Sequence, residues 1–226
     1  MTAFFDYPRA ALFGRVLPKN KIYEHASASK RLKQLFVEQV DQITWRYKLA
    51  PETINLESNS AVPEIQVFGI SLRSKELAED VLRAIDTSIH FPILFELNHS
   101  GKRKVIAAFK RPNEADPGKW VVSSYFGTGW EAEDGPRARM PAALNLAALY
   151  DRLLRGLLPA EVATGEGLAQ RVAQAEAILA KRRDIARIKA RLDREKQFNK
   201  KVAINAELRN ATTQLKNLTG KGAVEG

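Results

Sequence analysis

From Leu168 to Leu218 the chain contains neither proline nor glycine. Ala, Arg, Lys, Gln, Glu and Leu dominate this stretch, and all are strong helix formers. About 50 residues at 1.5 Å each make a helix of roughly 75 Å. That is longer than a domain built from the rest of the chain is wide, so the segment either projects as one rod or breaks and folds into a helical hairpin. Its apolar seam leaves both open. Ile178, Ile185, Ile188 and Leu192 follow heptad spacing, and the next seam positions, Glu195 and Asn199, are polar. Val202 restores the pattern and Leu208 continues it in a register slipped once. Such a seam holds a long isolated coiled coil poorly and suits folding back or docking on a partner.

Charge is as unevenly placed as helix propensity. Arg171 to Lys221 carries 14 Lys/Arg against 5 Asp/Glu, a net of +9, while the remaining 22 basic and 21 acidic residues nearly cancel. A nearly neutral body thus carries a basic arm, the footprint of a surface that meets a polyanion or an acidic partner. Arg183, Arg187, Arg191 and Arg194 are spaced four, four and three, which puts them on one helical face. Asp184, Asp193 and Glu195 are expected to lie off that face, leaving a phosphate-tracking surface that Lys200 and Lys201 extend. Ile185, Ile188, Leu192, Gln197, Phe198, Asn199, Val202 and Leu208 are the expected partner-binding positions.

The body reads as α+β: a mixed or mostly antiparallel sheet with flanking helices over 1–159. A linker follows at 160–167, then the arm at 168–219 and a disordered tail at 220–226. Within the body, 3–17 reads as a short helical start and Pro18-Lys19-Asn20-Lys21 as a turn. Leu32, Leu35 and Phe36 mark a helix over 30–39, capped by Ser27 or Ser29. The period changes to two from Val40, Gln42–Leu49 reads as a strand, and Ile65–Leu72 is a second strand. Ser74 is expected to cap a helix over 75–87. Strands at 91–98, 105–110 and 120–126 follow, then a loop at 127–141 and an amphipathic helix over 145–158. His99-Ser100-Gly101-Lys102 is a hairpin turn.

The residue inventory removes several chemistries. No cysteine is present, which excludes disulfides, thiol catalysis and cysteine-based zinc sites. His25, His90 and His99 have no ligand-spaced partners, so no metal and no cofactor is expected. No nucleophile elbow or phosphate-binding glycine loop occurs, and Gly127-Thr128-Gly129 lacks the helix such a loop needs. Asp6, Pro8 and Arg9 interrupt the apolar N-terminus before a signal sequence could form, and no run reaches the ~18 apolar residues of a membrane span, which suggests a cytoplasmic protein. A metal-dependent nuclease would draw on Asp41, Glu64 or Glu96, but Glu96-Leu97-Asn98 and Glu64-Ile65-Gln66 both lack the lysine that an acid-x-Lys strand requires. A second basic patch is expected in the body from Lys19, Lys21, Lys30, Arg31, Lys33, Arg46 and Lys48, with Tyr23 nearby for stacking, and Lys102, Arg103 and Lys104 form another at the hairpin.

Several segments taken together carry a resemblance. They are Pro18-Lys19-Asn20-Lys21-Ile22-Tyr23, Gln42-Ile43-Thr44-Trp45-Arg46-Tyr47-Lys48-Leu49, Glu64-Ile65-Gln66-Val67-Phe68, and Glu195-Lys196-Gln197-Phe198-Asn199-Lys200-Lys201-Val202 with Asn205-Ala206-Glu207-Leu208. In that order, across about residues 4–218, the chain resembles a bacterial family known only as a domain of unknown function. Members of that family are typically encoded beside helicases and DNA methyltransferases in restriction-like phage-defence islands. The resemblance implies an accessory subunit of a DNA-acting complex and no catalytic residues. The expectation is therefore a non-catalytic subunit whose arm meets DNA or RNA phosphates and a helicase or methyltransferase subunit. The alternatives are a scaffold that self-associates through the arm, and the nuclease.

Overall fold

A computed structural model describes residues 3–113, 115–116, 119–162 and 167–220. Of the expected linker, 163–166 lie outside these, as do 221–226 of the expected tail. The chain divides between Leu157 and Leu158 into two compact units.

The first unit opens with β1 (Phe5–Asp6), a 3-10 turn at Arg9–Ala11 and β2 (Leu12–Val16). Helices α1 (Lys19–His25) and α2 (Lys30–Gln39) lead into β3 (Val40–Leu49) and the short α3 (Pro51–Ile54). Then come β4 (Ile65–Leu72), α4 (Glu79–Ser88), β5 (Ile93–His99), β6 (Lys102–Pro112) and β7 (Trp120–Gly127). Two short strands, β8 (Glu131–Ala132) and β9 (Ala138–Arg139), precede α5 (Leu146–Arg155). The main sheet runs β2-β3-β4-β5-β6-β7, with β8 also on β6, and a separate parallel pair joins β1 to β9. Every neighbouring pair in the main sheet is antiparallel except β4–β5, which α4 joins by a crossover. The fold is α+β with a mostly antiparallel sheet, flanking helices and long C-terminal helices.

Period two sorts the strand residues onto two faces. One face carries Ile43, Phe68, Ile70, Ile93 and Phe95 against Phe36 of α2 and Val81, Leu82 and Ile85 of α4. Across it Trp45, Phe68 and Phe95 stand in register, with ring centroids 6.0 and 6.2 Å apart. Each fully buried aromatic contributes about 1.5–3 kcal/mol. Behind this layer the Lys110 ammonium is fully buried. It donates to the carbonyls of Asp86 and Ile89 at the C-terminal end of α4 and lies 3.3 Å from the Asp86 carboxylate. There it satisfies carbonyls that helix termination leaves open. Tyr150 of α5 seals the β6 bulge, accepting from Lys110 N at 2.9 Å and donating to Ala108 O at 3.0 Å.

Local signals set several boundaries. The Ser29 hydroxyl accepts from Leu32 N, and the Asn145 side chain accepts from Ala148 N, which caps α2 and α5. Ser100 and Gly101 both take positive φ (47° and 71°) in the β5–β6 turn, as a two-residue hairpin requires.

Four expectations are corrected. Residues 3–17 form strands and one 3-10 turn rather than a helix. Leu12–Val16 pairs with β3, and Gly14, at φ 65°, sits in the register shift between Leu12 and Arg15. Pro18 precedes a helix instead of making a turn, and α1 starts at Lys19. Ser74 bonds Glu76 O, and α4 starts four residues later than expected, at Glu79. The 127–141 segment contains β8 and β9, which pair with partners distant in sequence and so leave no local period to read.

The second unit is a pair of helices, α6 (Leu168–Arg194) and α7 (Phe198–Leu218). Of the two forms open to the arm, the structure takes the hairpin. Among the described residues, no helix is long and apolar enough to cross a membrane.

Candidate nucleic-acid interface

The hairpin turn grows from the polar break in the seam. Glu195 ends α6 in extended backbone, and its carboxylate accepts from the amides of Lys196 (2.9 Å) and Gln197 (2.8 Å). The Gln197 amide is the main reason this carboxyl sits below the ordinary glutamate range. With the chain reversed, the seam closes on itself. Ile188, Ile204 and Ala211 are buried together, with Ile185, Leu192 and Leu208 packed around them. Gln174 to Leu218 O (3.1 Å), Lys181 to Gln214 (2.7 Å) and Arg191 to Glu207 tie the two helices along their length.

This places the expected partner-binding residues in two groups. Ile185, Ile188, Leu192 and Leu208 lie inside the hairpin, because the break at 195–197 gives them a partner in their own chain. Gln197, Phe198, Asn199 and Val202 are exposed at the tip, Phe198 by 77 % and Val202 by 50 %.

The expected phosphate-binding arginines are mostly brought together. Arg187, Arg191 and Arg194, with Ala190 and Glu195, line a concave surface of about 360 Å³. Arg187 and Arg191 also border a groove of about 370 Å³ between the helices, with Lys181 and Gln214 on its walls. Arg183 lines neither and remains exposed, as do Lys200 and Lys201. The acids correct one expectation. Asp184 is not off the basic face: at i,i+3 it accepts from Arg187. Glu207 reaches Arg191 from α7, a pairing visible only once the hairpin is formed. Both are solvent-exposed pairs, worth about 0–1 kcal/mol each, so an incoming phosphate competes with them on even terms. Among the described residues, Arg183, Arg194, Lys200 and Lys201 have no ion pair at all. Between Lys181 and Lys201 ten basic residues face three acidic ones.

The body's expected patch does not assemble into one surface. Lys19 donates to the carbonyls of Phe36 (3.4 Å) and Val40, fastening α1 to the end of α2, and desolvation holds its pKa below the ordinary lysine range. Lys21 is exposed beside Glu24 (3.7 Å). Lys48 is divided between Glu52 (2.6 Å) and Glu64 (3.4 Å). Arg46 turns to Glu96 at 2.8 Å. Arg103 is buried and bonds Glu131 (2.9 and 3.0 Å) and the Pro136 carbonyl.

The three acids considered for metal chemistry also stand apart. Glu96 is clamped by Arg46 and, through two bonds of 2.8 and 2.9 Å, by Arg137. Glu64 bonds Gln66 and faces Lys48, while Asp41 faces Arg73 at 3.3 Å. Gly69 pairs with Glu96, and Glu64 lies five residues back along that strand line, roughly 16 Å away. Among the described residues, no group of three or more His, Asp or Glu could hold a metal ion. Arg137 was not singled out in the sequence, since it lies in an irregular segment. The signal that could have found it is Glu96, a charge in an apolar strand that demands a cationic partner.

Neither a curated protein nor a solved structure matches the chain. A family model matches residues 5–215, from β1 almost to the end of α7, and so covers both the sheet unit and the hairpin. The chain belongs to the family described as Domain of unknown function (DUF4391).

Proposed function

We propose that the protein is a non-catalytic, cytoplasmic accessory subunit whose helical hairpin contacts nucleic-acid phosphates. The observation that carries this reading is the concave surface of Arg187, Arg191 and Arg194. These guanidiniums stand within two turns of one helix, so they meet a phosphate backbone along its length instead of at a point. The surrounding stretch has a large cationic excess, which supplies long-range attraction for a polyanion. The family resemblance suggests the setting: a restriction-like phage-defence complex with a helicase or DNA methyltransferase subunit.

The test is fluorescence anisotropy of a labelled duplex and a labelled single strand, titrated with the full chain across a salt series. Replacing Arg187, Arg191 and Arg194 together by Gln should weaken binding and flatten the slope of log K against log salt by about 2 to 3 for the duplex. Circular dichroism checks that the hairpin is retained. Unchanged affinity and slope would overturn the phosphate reading.

The tip favours a second reading, a protein partner, because Phe198 and Val202 are both exposed and lie at i,i+4 on α7. Apolar docking there would be insensitive to salt, so a salt titration of the complex recovered from its host separates the two. The coiled-coil scaffold needs a surface other than the seam, since the seam is closed inside the hairpin.

A further inference from the structure

The sheet unit carries a feature that the hairpin reading does not use. On the face away from α2 and α4, a cavity of about 380 Å³ is walled by Arg46, Arg103 and Arg137. Its floor is formed by Thr44, Gly69, Ser71 and Asn98, and Glu133 stands at its lip. The register explains how the floor forms. Thr44 pairs with Gly69 and Gly69 with Glu96, while in the adjacent row Ser71 pairs with Asn98 and Asn98 with Arg103. These are β3, β4, β5 and β6, inner strands of the sheet, on the face opposite the core against α2 and α4. Here the positions hold a hydroxyl, a glycine, a second hydroxyl and an amide.

Gly69 is required by the arginine above it. A Cβ at this position would lie 2.6 Å from Cδ of Arg46, so the missing side chain is the passage by which Arg46 crosses β4 to reach Glu96. Arg137 meets Glu96 from the other side. The Phe4 ring stacks under both Arg103 (4.0 Å) and Arg137 (5.6 Å), and Phe4 is fully buried. The guanidiniums are therefore held in place before any ligand arrives, which lowers the ordering cost of binding. They are not exhausted by these contacts. Among the described residues, Arg46 donates through Nη1 and Arg103 through Nε and Nη2. Among the described residues, Nε and Nη2 of Arg46 and Nη1 of Arg103 have no hydrogen-bond partner.

We propose that this cavity is a binding site for a phosphate group, carried either by a free nucleotide or by the end of a nucleic-acid strand. Fixed guanidiniums with spare N–H donors, ringed by hydroxyl and amide groups, match the several acceptor oxygens of a phosphate. The volume falls within the range of small-ligand sites, and the polar lining disfavours an apolar occupant. Glu133 opposes an anion and sets an upper limit on affinity.

The test is isothermal titration calorimetry on the full chain with inorganic phosphate, a nucleoside triphosphate, and one oligonucleotide prepared with a 5′-phosphate and with a 5′-hydroxyl. A free nucleotide as ligand predicts saturable heat with the triphosphate and equal behaviour of the two oligonucleotides. A strand end predicts tighter binding of the 5′-phosphorylated form. Asn98→Asp, nearly isosteric, should weaken phosphate-dependent binding about tenfold or more by placing an anion on the floor. Glu133→Gln should tighten it about two- to fivefold. Both variants leave the Glu96 clamp intact, and a thermal melt confirms that they fold. In the Arg187, Arg191 and Arg194 triple variant overall oligonucleotide affinity falls, but the triphosphate heat, or the advantage of the 5′-phosphorylated strand over the 5′-hydroxyl strand, should persist, which separates the cavity from the hairpin. No saturable heat with any phosphate ligand at concentrations up to about 10 mM, or heat that Asn98→Asp and Glu133→Gln both leave unaltered, would overturn the proposal.

Discussion

Glu96→Gln asks whether the clamp organises the sheet unit. The Glu96 side chain is 1 % exposed and accepts three bonds, one from Arg46 and two from Arg137. Removing one member of a fully buried ion pair costs about 3–5 kcal/mol. Arg46 and Arg137 are 33 % and 23 % exposed, so both recover part of their hydration, and the glutamine keeps one carbonyl acceptor. The expected loss is therefore about 2 kcal/mol. Trp45, Trp120 and Trp130 are the chain's three tryptophans and all precede Leu158, so their fluorescence reports this unit while the hairpin stays silent. With a urea m-value of about 2 kcal/mol/M, the midpoint should fall by about 1 M at unchanged m. Combining Glu96→Gln with Arg137→Gln in a double-mutant cycle should give a coupling of about 1–3 kcal/mol. A midpoint shift under about 0.2 M with no coupling would refute the clamp as a stabilising element.

Two further predictions concern the hairpin. Ile204→Ala should destabilise it by about 2–3 kcal/mol, because Ile204 is 8 % exposed and sits in the seam with Ile188; helicity at 222 nm in a urea titration reads this. Glu195 binds the Lys196 and Gln197 amides as a carboxylate with its pKa held below the ordinary 4.5, so its contribution to the turn is full above that pH and is lost as pH falls through the lower folded value; helicity should drop over that window, and a flat acid titration would show that the turn does not depend on this carboxylate.

Much of the fold was legible from period and caps. β3 follows the alternation that starts at Val40, α2 follows Ser29 and the Leu32/Leu35/Phe36 spacing, and the β5–β6 turn follows Ser100-Gly101. The misread strands share one cause. Leu12–Val16 and the short strands after Gly127 are defined by partners far away in sequence, so no local pattern marks them. The candidate sites divide in the same way. The basic face of α6 was legible because i,i+3 and i,i+4 neighbours are fixed by helical geometry alone. The Arg46–Glu96–Arg137 clamp was not, because its members are separated by 50 and 41 residues and meet only through sheet register.

The sequence by itself determined that a long helix-forming, strongly basic arm follows an α+β body, since helix propensity and charge are properties of a local stretch. It also marked Glu195–Asn199 as the place where the seam fails. Tertiary structure alone decided what that failure does. Once the chain reverses at Glu195, Ile188 and Leu192 are enclosed by Ile204, Leu208 and Ala211, and Glu207 reaches Arg191, so the seam becomes a core and the arginines become the outside of a hairpin. Which residues are left for a partner is set by this long-range pairing, which no window of sequence contains.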